Sequence, residues 1–433
     1  MNRTLAIIGG GISGLSLYHA LKKKNPDGNV TLFEKDLKLG GVMQTHFDGE
    51  FLFEAGPRTF PYSRAPHLLQ LLDELNLNDQ IIDSDSSASI RYLCHKGKLE
   101  KMPMSLKALF TSPLTKGIGW AFFRDLFAKR GPKDETIEQF FVLHIGPKLT
   151  HQLIDPMVSG IYAGDISKLS ILSTFPYFKE MEQNKRSLIL GAIFSKKKKK
   201  GRRGLFTLKE GMSTLIEALS VDLNIANEVE RVAFENGKAI VTSKGIKSSF
   251  DHVYLCVGPN VAQKLLPNDC AHYFSAISTT SIATVNLGYK NGKLPIKGFG
   301  FLAPSEESEP FLGALIDSSI FPQQNQNEQQ QRITVMIGGA KCPLDCLDRY
   351  QVQSIANQCV RSYLNLPEAD YYSVNRHENA LCQAAVGHSE NMEKLKQHLE
   401  NKPITLHAPY ISGTSVNACI QAAYEISQLS DTQ

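Results

Sequence analysis

The sequence predicts an α/β protein, in which a parallel-sheet domain is assembled from both ends and the middle of the chain around inserted segments. Three observations support this class. Thr4–Ile8, a glycine turn, a helix over 15–24 and a strand over 30–34 form one βαβ unit. Residues 103–195 follow a mostly helical pattern. Short strands recur from residue 225 onward, so helices and strands alternate in blocks.

The composition is that of an ordinary globular protein. The chain has 433 residues, of which 42% are hydrophobic and 21% charged, enough for two or three domains. Its formal charge of +4 is too small to indicate a nucleic-acid partner. The eight cysteines are scattered, and Cys342 and Cys346 have no second pair to complete a metal site. We therefore predict no metal and free buried thiols in a reducing compartment.

The same chain carries no signal for secretion or membrane insertion. The apolar run Leu5–Ile8 is too short for a signal peptide and ends in glycines. No window reaches the roughly 18 to 20 apolar residues that a membrane span needs. We expect a cytoplasmic protein with, at most, peripheral contact on the inner face of a membrane.

The turn after the first strand predicts a dinucleotide site. Gly9 permits the tight turn, Gly11 lets the backbone approach a pyrophosphate, and Gly14 lets helix and strand pack closely. The amides of Ile12 and Ser13, at the start of the helix, face the anion. The domain is therefore predicted to be Rossmann-like.

The residues after the second strand distinguish FAD from NAD. Glu34 ends that strand where a carboxylate binds ribose hydroxyls, and Lys35 follows it. Gly40 and Gly41 then resemble the extension of glutathione-reductase-like and amine-oxidase-like flavoproteins, in which paired glycines help to enclose FAD. This resemblance implies a glutathione-reductase-like FAD/NAD(P)-binding domain with non-covalent FAD.

Two later segments extend this resemblance. Residues 51–58 resemble the next strand and turn of the superfamily, and residues 413–420 form a glycine turn into a helix, where amides would face the flavin. Arg58 is equally compatible with a purely structural role. The predicted cofactor contacts here are Gly56, Pro57, Arg58, Val229, Thr414, Ser415 and Val416.

Other segments resemble the protoporphyrinogen oxidase family, in the family's own order from about residue 3 to residue 428. They are Asp155–Asp165 with Leu169 and Ser170, Arg186–Leu188, Phe206–Met212, Lys297–Leu302 and Ile333–Gly339. The resemblance implies oxidation of a porphyrinogen to a porphyrin late in haem biosynthesis. Six electrons leave in three hydride transfers to the flavin, which is regenerated by O2, giving H2O2, or by another electron acceptor. It also implies hand-over of the product to a ferrochelatase; a monomer and a homodimer are both compatible.

The resemblance also implies substrate contacts. Arg91 matches the family arginine that holds a propionate, which suits its planar fork. Gly160 matches a backbone position that approaches the macrocycle. The matching apolar clamp is Phe299, Gly300, Leu302, Leu315 and Met336. Without the resemblance, the sequence favours core packing for Leu315 and Met336.

No catalytic side chain is assigned, because the flavin carries out the chemistry. We interpret His144, His151, His388 and His407 as structural. One departure from the family is Ser389, which stands where members often carry an aromatic residue against the flavin.

Several alternatives stay open. One arginine and an apolar clamp favour protoporphyrinogen IX, whereas Arg58, Lys96 and Lys98 would serve the extra carboxylates of coproporphyrinogen III. A flavin amine oxidase shares the FAD fold, although residues 155–170 do not match that class. A non-catalytic flavin-binding protein would bind FAD without turnover. The basic run Lys196–Lys200 is either a solvated loop or a membrane contact.

The predicted domain organisation has six segments. The FAD domain is built from 1–85, 205–270 and 401–433, and the mixed-sheet substrate domain from 86–102 and 271–400. The inserted helical domain, a candidate for membrane contact, covers 103–204.

Overall fold

The fold is seen in a computed structural model, which describes residues 3–185, 187–188, 202–221, 223 and 225–429. Arg186 and the basic run Lys196–Lys200 lie outside the described residues.

The strands, in chain order, are β1 (Thr4–Ile8), β2 (Asn29–Phe33), β3 (Thr45–Phe47), β4 (Leu52–Glu54), β5 (Phe60–Pro61), β6 (Ile81–Asp83), β7 (Arg91–His95), β8 (Lys98–Lys101), β9 (Leu205–Leu208), β10 (Ile225–Ala226), β11 (Arg231–Glu235), β12 (Lys238–Ser243), β13 (Ile246–Phe250), β14 (His252–Leu255), β15 (Ser278–Tyr289), β16 (Gly300–Leu302), β17 (Gly313–Leu315), β18 (Gln331–Gly338), β19 (Tyr371–Gln383) and β20 (Ile404–Leu406).

The α-helices are Ile12–Lys24, Pro66–Glu74, Leu106–Thr111, Ile118–Phe127, Ile137–Ile145, Pro147–Leu149, Asp155–Tyr162, Ile171–Thr174, Pro176–Lys185, Ser213–Leu219, Pro259–Leu265, Ala271–Ser275, Asp317–Ile320, Arg349–Leu364, His388–Leu399, Pro409–Ser412 and Val416–Leu429. A π-helical turn, Thr150–Ile154, precedes the helix at Asp155. Within the described residues, no helix is long and apolar enough to cross a bilayer.

The chain folds into two compact units. Unit 1 comprises Met1–Asp83, Arg202–Ile277 and Glu390–Gln433, and unit 2 comprises Ser84–Gly201 and Ser278–Ser389.

These boundaries differ from the predicted ones at both ends of the 271–400 segment. Residues 271–277 and 390–400 lie in unit 1. The helix Ala271–Ser275 packs against Pro259–Leu265, and the Asn391 side-chain amide donates to the Tyr273 carbonyl oxygen at 2.8 Å. A helical domain separate from the sheet segments of unit 2 stays a prediction.

Unit 1 is built on a five-stranded parallel sheet of order β10–β2–β1–β14–β20. Ala6 and Ile7 in the central strand are 0% exposed, as expected for a strand covered on both faces, which explains the continuous apolar run. The helix Ile12–Lys24 joins β1 to β2 and packs against Val416–Leu429. The antiparallel sheet β11–β12–β13 lies between β10 and β14 in sequence. The Rossmann-like α/β prediction is confirmed.

Unit 2 contains a seven-stranded mixed sheet of order β19–β15–β18–β17–β16–β7–β8. Register pairs Val285 with Val335, Val335 with Ala314, and Ala314 with Phe301, so these side chains share one face. All four are buried in the core that includes the helix Arg349–Leu364. The residues that alternate with them therefore project from the opposite face.

The helical part of unit 2 encloses a buried charged cluster. Lys179 Nζ lies 2.8 Å from Glu135 Oε1 and 2.7 Å from Glu182 Oε2. His144 Nδ1 lies 2.6 Å from Asp125 Oδ1, and both side chains are fully buried. Removing one member of a buried ion pair typically costs about 3 to 5 kcal/mol. His144 therefore has a structural environment, which agrees with its interpretation from sequence.

Candidate functional site

The glycine turn after β1 is held tightly by backbone contacts. Gly9 has φ +109°, and a Cβ there would lie 2.6 Å from the Cys256 carbonyl oxygen. A Cβ on Gly14 would lie 1.9 Å from the Gly9 carbonyl oxygen. Real side chains do not approach backbone so closely, so both positions require glycine for packing alone.

Gly11 is different, because a Cβ there would meet no atom within 4 Å. It is the N-cap of the helix Ile12–Lys24, and no side chain caps that helix end. Gly41, on the facing turn, would place a Cβ 3.5 Å from the Gly11 Cα atom, and the Gly40 N–H donates to the Gly10 carbonyl oxygen at 2.8 Å. The two glycine turns thus border an open space at a helix N-terminus, which fits a dinucleotide pyrophosphate.

Glu34 is fixed by three backbone amides at the end of β2. Its Oε2 accepts from the Gly10 N–H at 2.6 Å, and its Oε1 accepts from the N–H groups of Lys35 and Asp36 at 2.8 and 2.9 Å. A carboxylate has about four acceptor positions, which leaves one for a ribose hydroxyl. The Lys35 side chain is exposed, and its Nζ lies 3.3 Å from Asp36 Oδ1.

The turn at 54–58 is held in place by contacts of Gly56 and Arg58 with backbone carbonyl oxygens. A Cβ on Gly56 would lie 2.1 Å from the Val42 carbonyl oxygen. The buried Arg58 guanidinium donates to the carbonyl oxygens of Glu54 at 2.9 Å and Gly56 at 3.3 Å. These bonds give Arg58 a structural role, and its contact with the flavin, like that of the exposed Pro57, stays a prediction.

The C-terminal turn joins the same unit. Gly413 has φ +98°, and the Ser415 hydroxyl accepts from the Ala418 N–H at 3.1 Å, so Ser415 caps the helix Val416–Leu429. Thr414 and Ser415 are exposed, whereas Val416 is buried. Val229 is buried as well. All predicted cofactor residues therefore lie in unit 1.

The predicted substrate residues lie in unit 2, mostly on one face of its sheet. Register pairs Gly300 with both Arg91 and Leu315, and Gly313 with both Leu302 and Met336. The Leu302, Leu315 and Met336 side chains are half-buried. They form an apolar row that is incompletely covered, whereas Thr334 and Asn286, on the same sheet face, are polar and fully buried.

Arg91 borders this face at the start of β7. Its guanidinium lies over the Phe299 ring, with the carbon Cζ 4.8 Å from the ring centroid. The Phe299 N–H donates to the Ile90 carbonyl oxygen at 2.8 Å, which fixes the ring beside the arginine. An arginine held on an aromatic face keeps its donors directed outward for a carboxylate.

Gly160 lies in the helix Asp155–Tyr162. A Cβ there would lie 2.5 Å from Leu302 Cδ2, so the helix backbone approaches the apolar face closely. Gly300 has φ +143°, and a Cβ would lie 2.0 Å from the Ala314 carbonyl oxygen. Packing therefore requires glycine at position 300, whereas at position 160 a side chain would need only a shift of the Leu302 methyl groups.

Ser389 is exposed, and its hydroxyl lies 2.9 Å from that of Ser173. The neighbouring Gly387 N–H donates to Oδ2 of Asp134, and Oδ1 of the same carboxylate accepts from the Ser170 hydroxyl. The segment 387–389 is therefore tied to the helical part of unit 2. Whether its lack of an aromatic side chain affects the flavin stays a prediction.

Sequence reasoning overlooked Thr284 and did not anticipate the contact of His407, which it interpreted as structural. Thr284 pairs with Met336 across β15 and β18 and so lies on the same sheet face. The alternation of residues along β15 could have indicated this position. His407 is fully buried, and its Nε2 lies 3.1 Å from the Ser13 carbonyl oxygen of the glycine turn. No local pattern marks that contact, since 394 residues separate the two.

Comparison with known proteins is consistent with this geometry. The family model of flavin-containing amine oxidoreductases matches residues 12–390. Protoporphyrinogen oxidase of Bos taurus is 30% identical and covers 98% of this chain and 97% of its own. Coproporphyrinogen III oxidase of Staphylococcus aureus is 27% identical and covers 92% of each chain.

Solved structures show the same fold. One from Exiguobacterium sp. 255-15, named provisionally as a protoporphyrinogen oxidase, superposes with a TM-score of 0.88 at 22% identity, covering 100% of this chain and 99% of its own. Cyclohexylamine oxidase of Brevibacterium oxydans superposes with a TM-score of 0.71 at 13% identity over all of both chains. The predicted FAD-dependent fold is confirmed. The chain therefore belongs to the flavin-containing amine oxidoreductases and, within them, to the group of protoporphyrinogen and coproporphyrinogen III oxidases.

Proposed function

We propose that the protein oxidises protoporphyrinogen IX to protoporphyrin IX with FAD as cofactor and O2 as acceptor. The observation that carries this choice is one arginine, Arg91, beside an apolar row of Leu302, Leu315 and Met336 on one sheet face. Such a row suits a mostly apolar tetrapyrrole with few carboxylates.

The residues of the chain bind and orient the cofactor and the substrate. Bound FAD supplies the redox chemistry by accepting hydride from the substrate. The glycine turns at 9–14 and 40–41 hold its pyrophosphate, and Glu34 holds a ribose. Arg91 holds a propionate and so orients the macrocycle, while the apolar row excludes water from the carbon atoms that lose hydride.

Stoichiometry tests the reaction. Removal of six electrons by O2 gives three H2O2 for each porphyrin formed. We expect rapid growth of porphyrin fluorescence with protoporphyrinogen IX in air, and peroxide in a ratio of about three to one. A higher kcat/KM for coproporphyrinogen III than for protoporphyrinogen IX would assign the protein to the coproporphyrin branch of haem biosynthesis. Bound FAD without turnover of either substrate would indicate a non-catalytic flavoprotein.

The structure gives the amine oxidase alternative little support. The aromatic residues near the C-terminal turn are used in packing. The Tyr424 hydroxyl donates to Glu74 Oε2 at 2.7 Å, and the Tyr410 ring is buried against Phe274. We therefore expect no amine-dependent bleaching of the flavin spectrum under anaerobic conditions.

We also propose that the helical part of unit 2 docks on an anionic membrane surface. The helix Ile118–Phe127 exposes a hydrophobic face, defined as Trp120, Phe123, Leu126 and Phe127, with exposed fractions of 70, 53, 52 and 71%; all but Leu126 are aromatic. Clustered exposed aromatic residues are typical of interaction sites, and aromatic rings favour the headgroup region. Basic residues flank the face in sequence, at Lys107, Lys116, Lys129, Arg130 and Lys133.

Flotation tests this proposal. We expect the protein to float with phosphatidylglycerol-containing vesicles, and the triple variant Trp120→Ser/Phe123→Ser/Phe127→Ser to float roughly tenfold less. Tyr350→Ser is the matched control, because Tyr350 is 82% exposed in the same unit but lies on another helix. Equal flotation of the wild type and the triple variant would overturn the assignment. So would a wild type that self-associates through this face instead of binding vesicles.

A further inference from the structure

The helix Asp155–Tyr162 is anchored at its first residue to the loop that follows β16. The Asp155 side chain is 5% exposed. Its Oδ2 accepts from the Ser305 N–H at 2.7 Å, and its Oδ1 accepts from the Ser305 hydroxyl at 3.0 Å. Ser305 lies three residues after Leu302, the last residue of β16. Because a buried carboxylate is costly unless its bonds are made, these two bonds hold the helix start in one arrangement.

The other end of this helix is anchored to the loop that follows β18. Ala163 ends the helix in the left-handed conformation, with φ +50°. Its carbonyl oxygen accepts from the Ala340 N–H at 2.8 Å. Ala340 lies four residues after Met336 of β18. The helix is thus tied at both ends to the loops after β16 and β18, the two strands that carry Leu302 and Met336.

Lys341 connects the same two loops. It belongs to the loop after β18, and its Nζ donates to the carbonyl oxygens of Ala303 at 3.2 Å and Pro304 at 3.1 Å, in the loop after β16. Burial lowers the pKa of Lys341, and the attraction of the Asp155 carboxylate opposes this shift. An ammonium therefore holds the loop after β16 at its carbonyl groups, while a carboxylate holds it at an amide and a hydroxyl.

We propose that Asp155 and Lys341 are positioning residues for the substrate, which hold the helix Asp155–Tyr162 at a fixed distance from the apolar row. This inference rests on the proposed function, in which that row binds the tetrapyrrole. Gly160 lies five residues after Asp155, roughly 7.5 Å along the helix axis. A Cβ at Gly160 would lie 2.5 Å from Leu302 Cδ2, so the helix already touches the row there. A change at Asp155 therefore acts on the row through the helix, without contact between Asp155 and the substrate.

The first experiment separates this role from a purely structural one. Asp155→Asn keeps the side-chain shape but turns one acceptor into an NH2 group that faces a Ser305 donor. We expect KM for protoporphyrinogen IX to rise roughly tenfold, with kcat within about twofold of the wild type, in kinetics normalised to bound FAD. A purely structural role would lower the melting temperature and the active fraction, but it would leave KM of the folded molecules unchanged. An unchanged KM would overturn the proposal.

A double-mutant cycle tests whether the two residues act together. Lys341→Met keeps most of the side-chain volume but removes the ammonium, and it should raise KM by a similar factor. Two independent tenfold effects would multiply to roughly 100-fold. We expect the double variant Asp155→Asn/Lys341→Met to stay well below that product, because both residues hold the same loop. Effects that multiply in full would refute their joint action.

A matched control and a milder variant complete the design. Asp165→Asn is the control, since Asp165 Oδ1 also accepts from the N–H and the hydroxyl of one serine, Ser167, at 2.9 and 2.7 Å, but within a local turn. It should leave KM unchanged. If Asp155→Asn does not fold, Ser305→Ala retains the amide bond to Asp155 and removes only the hydroxyl. It should raise KM about two- to threefold, and an unchanged KM would again count against the proposal.

Binding of the product distinguishes failure of this inference from failure of the proposed function. Fluorescence titration of the FAD-loaded proteins with protoporphyrin IX gives an affinity without turnover. We expect that affinity to be roughly tenfold weaker in Asp155→Asn than in the wild type. A wild type that oxidises protoporphyrinogen IX, with variants of equal KM and equal affinity, would overturn the positioning role alone. A wild type that neither oxidises nor binds the tetrapyrrole would overturn the proposed function and this inference with it.

Discussion

Replacement of Gly11 by valine is expected to abolish FAD binding while leaving the apoprotein folded. The position is open, since a Cβ would meet no atom within 4 Å, yet it lies at the N-terminus of the helix Ile12–Lys24 where the pyrophosphate is proposed to bind. A side chain there fills the space that the cofactor needs. We expect FAD affinity to fall at least about 100-fold, close to 3 kcal/mol. Flavin fluorescence titration and the melting curve of the apoprotein measure the two effects separately.

Two further glycine variants serve as comparisons for Gly11→Val. Gly14→Ala should destabilise the apoprotein itself, because its Cβ would lie 1.9 Å from the Gly9 carbonyl oxygen. Gly119→Val is the control for valine in place of a glycine with open space, and it lies in the helix Ile118–Phe127 of unit 2. It should bind FAD normally. Retention of wild-type FAD affinity by Gly11→Val would show that the pyrophosphate binds elsewhere.

Substitution of Arg91 by alanine should give the largest loss of substrate recognition. A bidentate bond between a guanidinium and a propionate is charge-assisted, and such bonds contribute about 1.5 to 3 kcal/mol. We therefore expect kcat/KM for protoporphyrinogen IX to fall roughly 100-fold, with FAD content unchanged because Arg91 lies in unit 2. Stopped-flow fluorescence with the FAD-loaded variant measures this loss.

Conservative replacement and a surface control test the mechanism behind that loss. Arg91→Lys should recover part of kcat/KM, since an ammonium supplies the charge but not the planar fork. Arg361→Ala removes an exposed arginine from the helix Arg349–Leu364 of the same unit and should have no effect. If Arg91→Ala oxidised the substrate as fast as the wild type, the propionate would have to be held by another cation.

Local sequence patterns were sufficient to predict the cofactor domain. β1 is buried on both faces, so its apolar run is visible without any knowledge of its neighbours. The glycines at 9 and 14 are required by contacts within a few residues or with the adjacent strand, which a short motif can encode. The helix Arg349–Leu364 also carries a local start signal, because Asp348 and Gln351 form a capping box at its beginning.

The composition of the substrate face, in contrast, depends on contacts between residues that are far apart in the sequence. β19 carries no buried alternation along most of its length, and it is a strand because it pairs with β15. The placement of Arg91 over Phe299 joins residues about 200 positions apart, as does the approach of Gly160 to Leu302 across about 140. The bond from His407 to Ser13 spans nearly the whole chain. Local periodicity reports which side of a strand or helix is buried, but not which distant residue it meets, and that pairing determines the site.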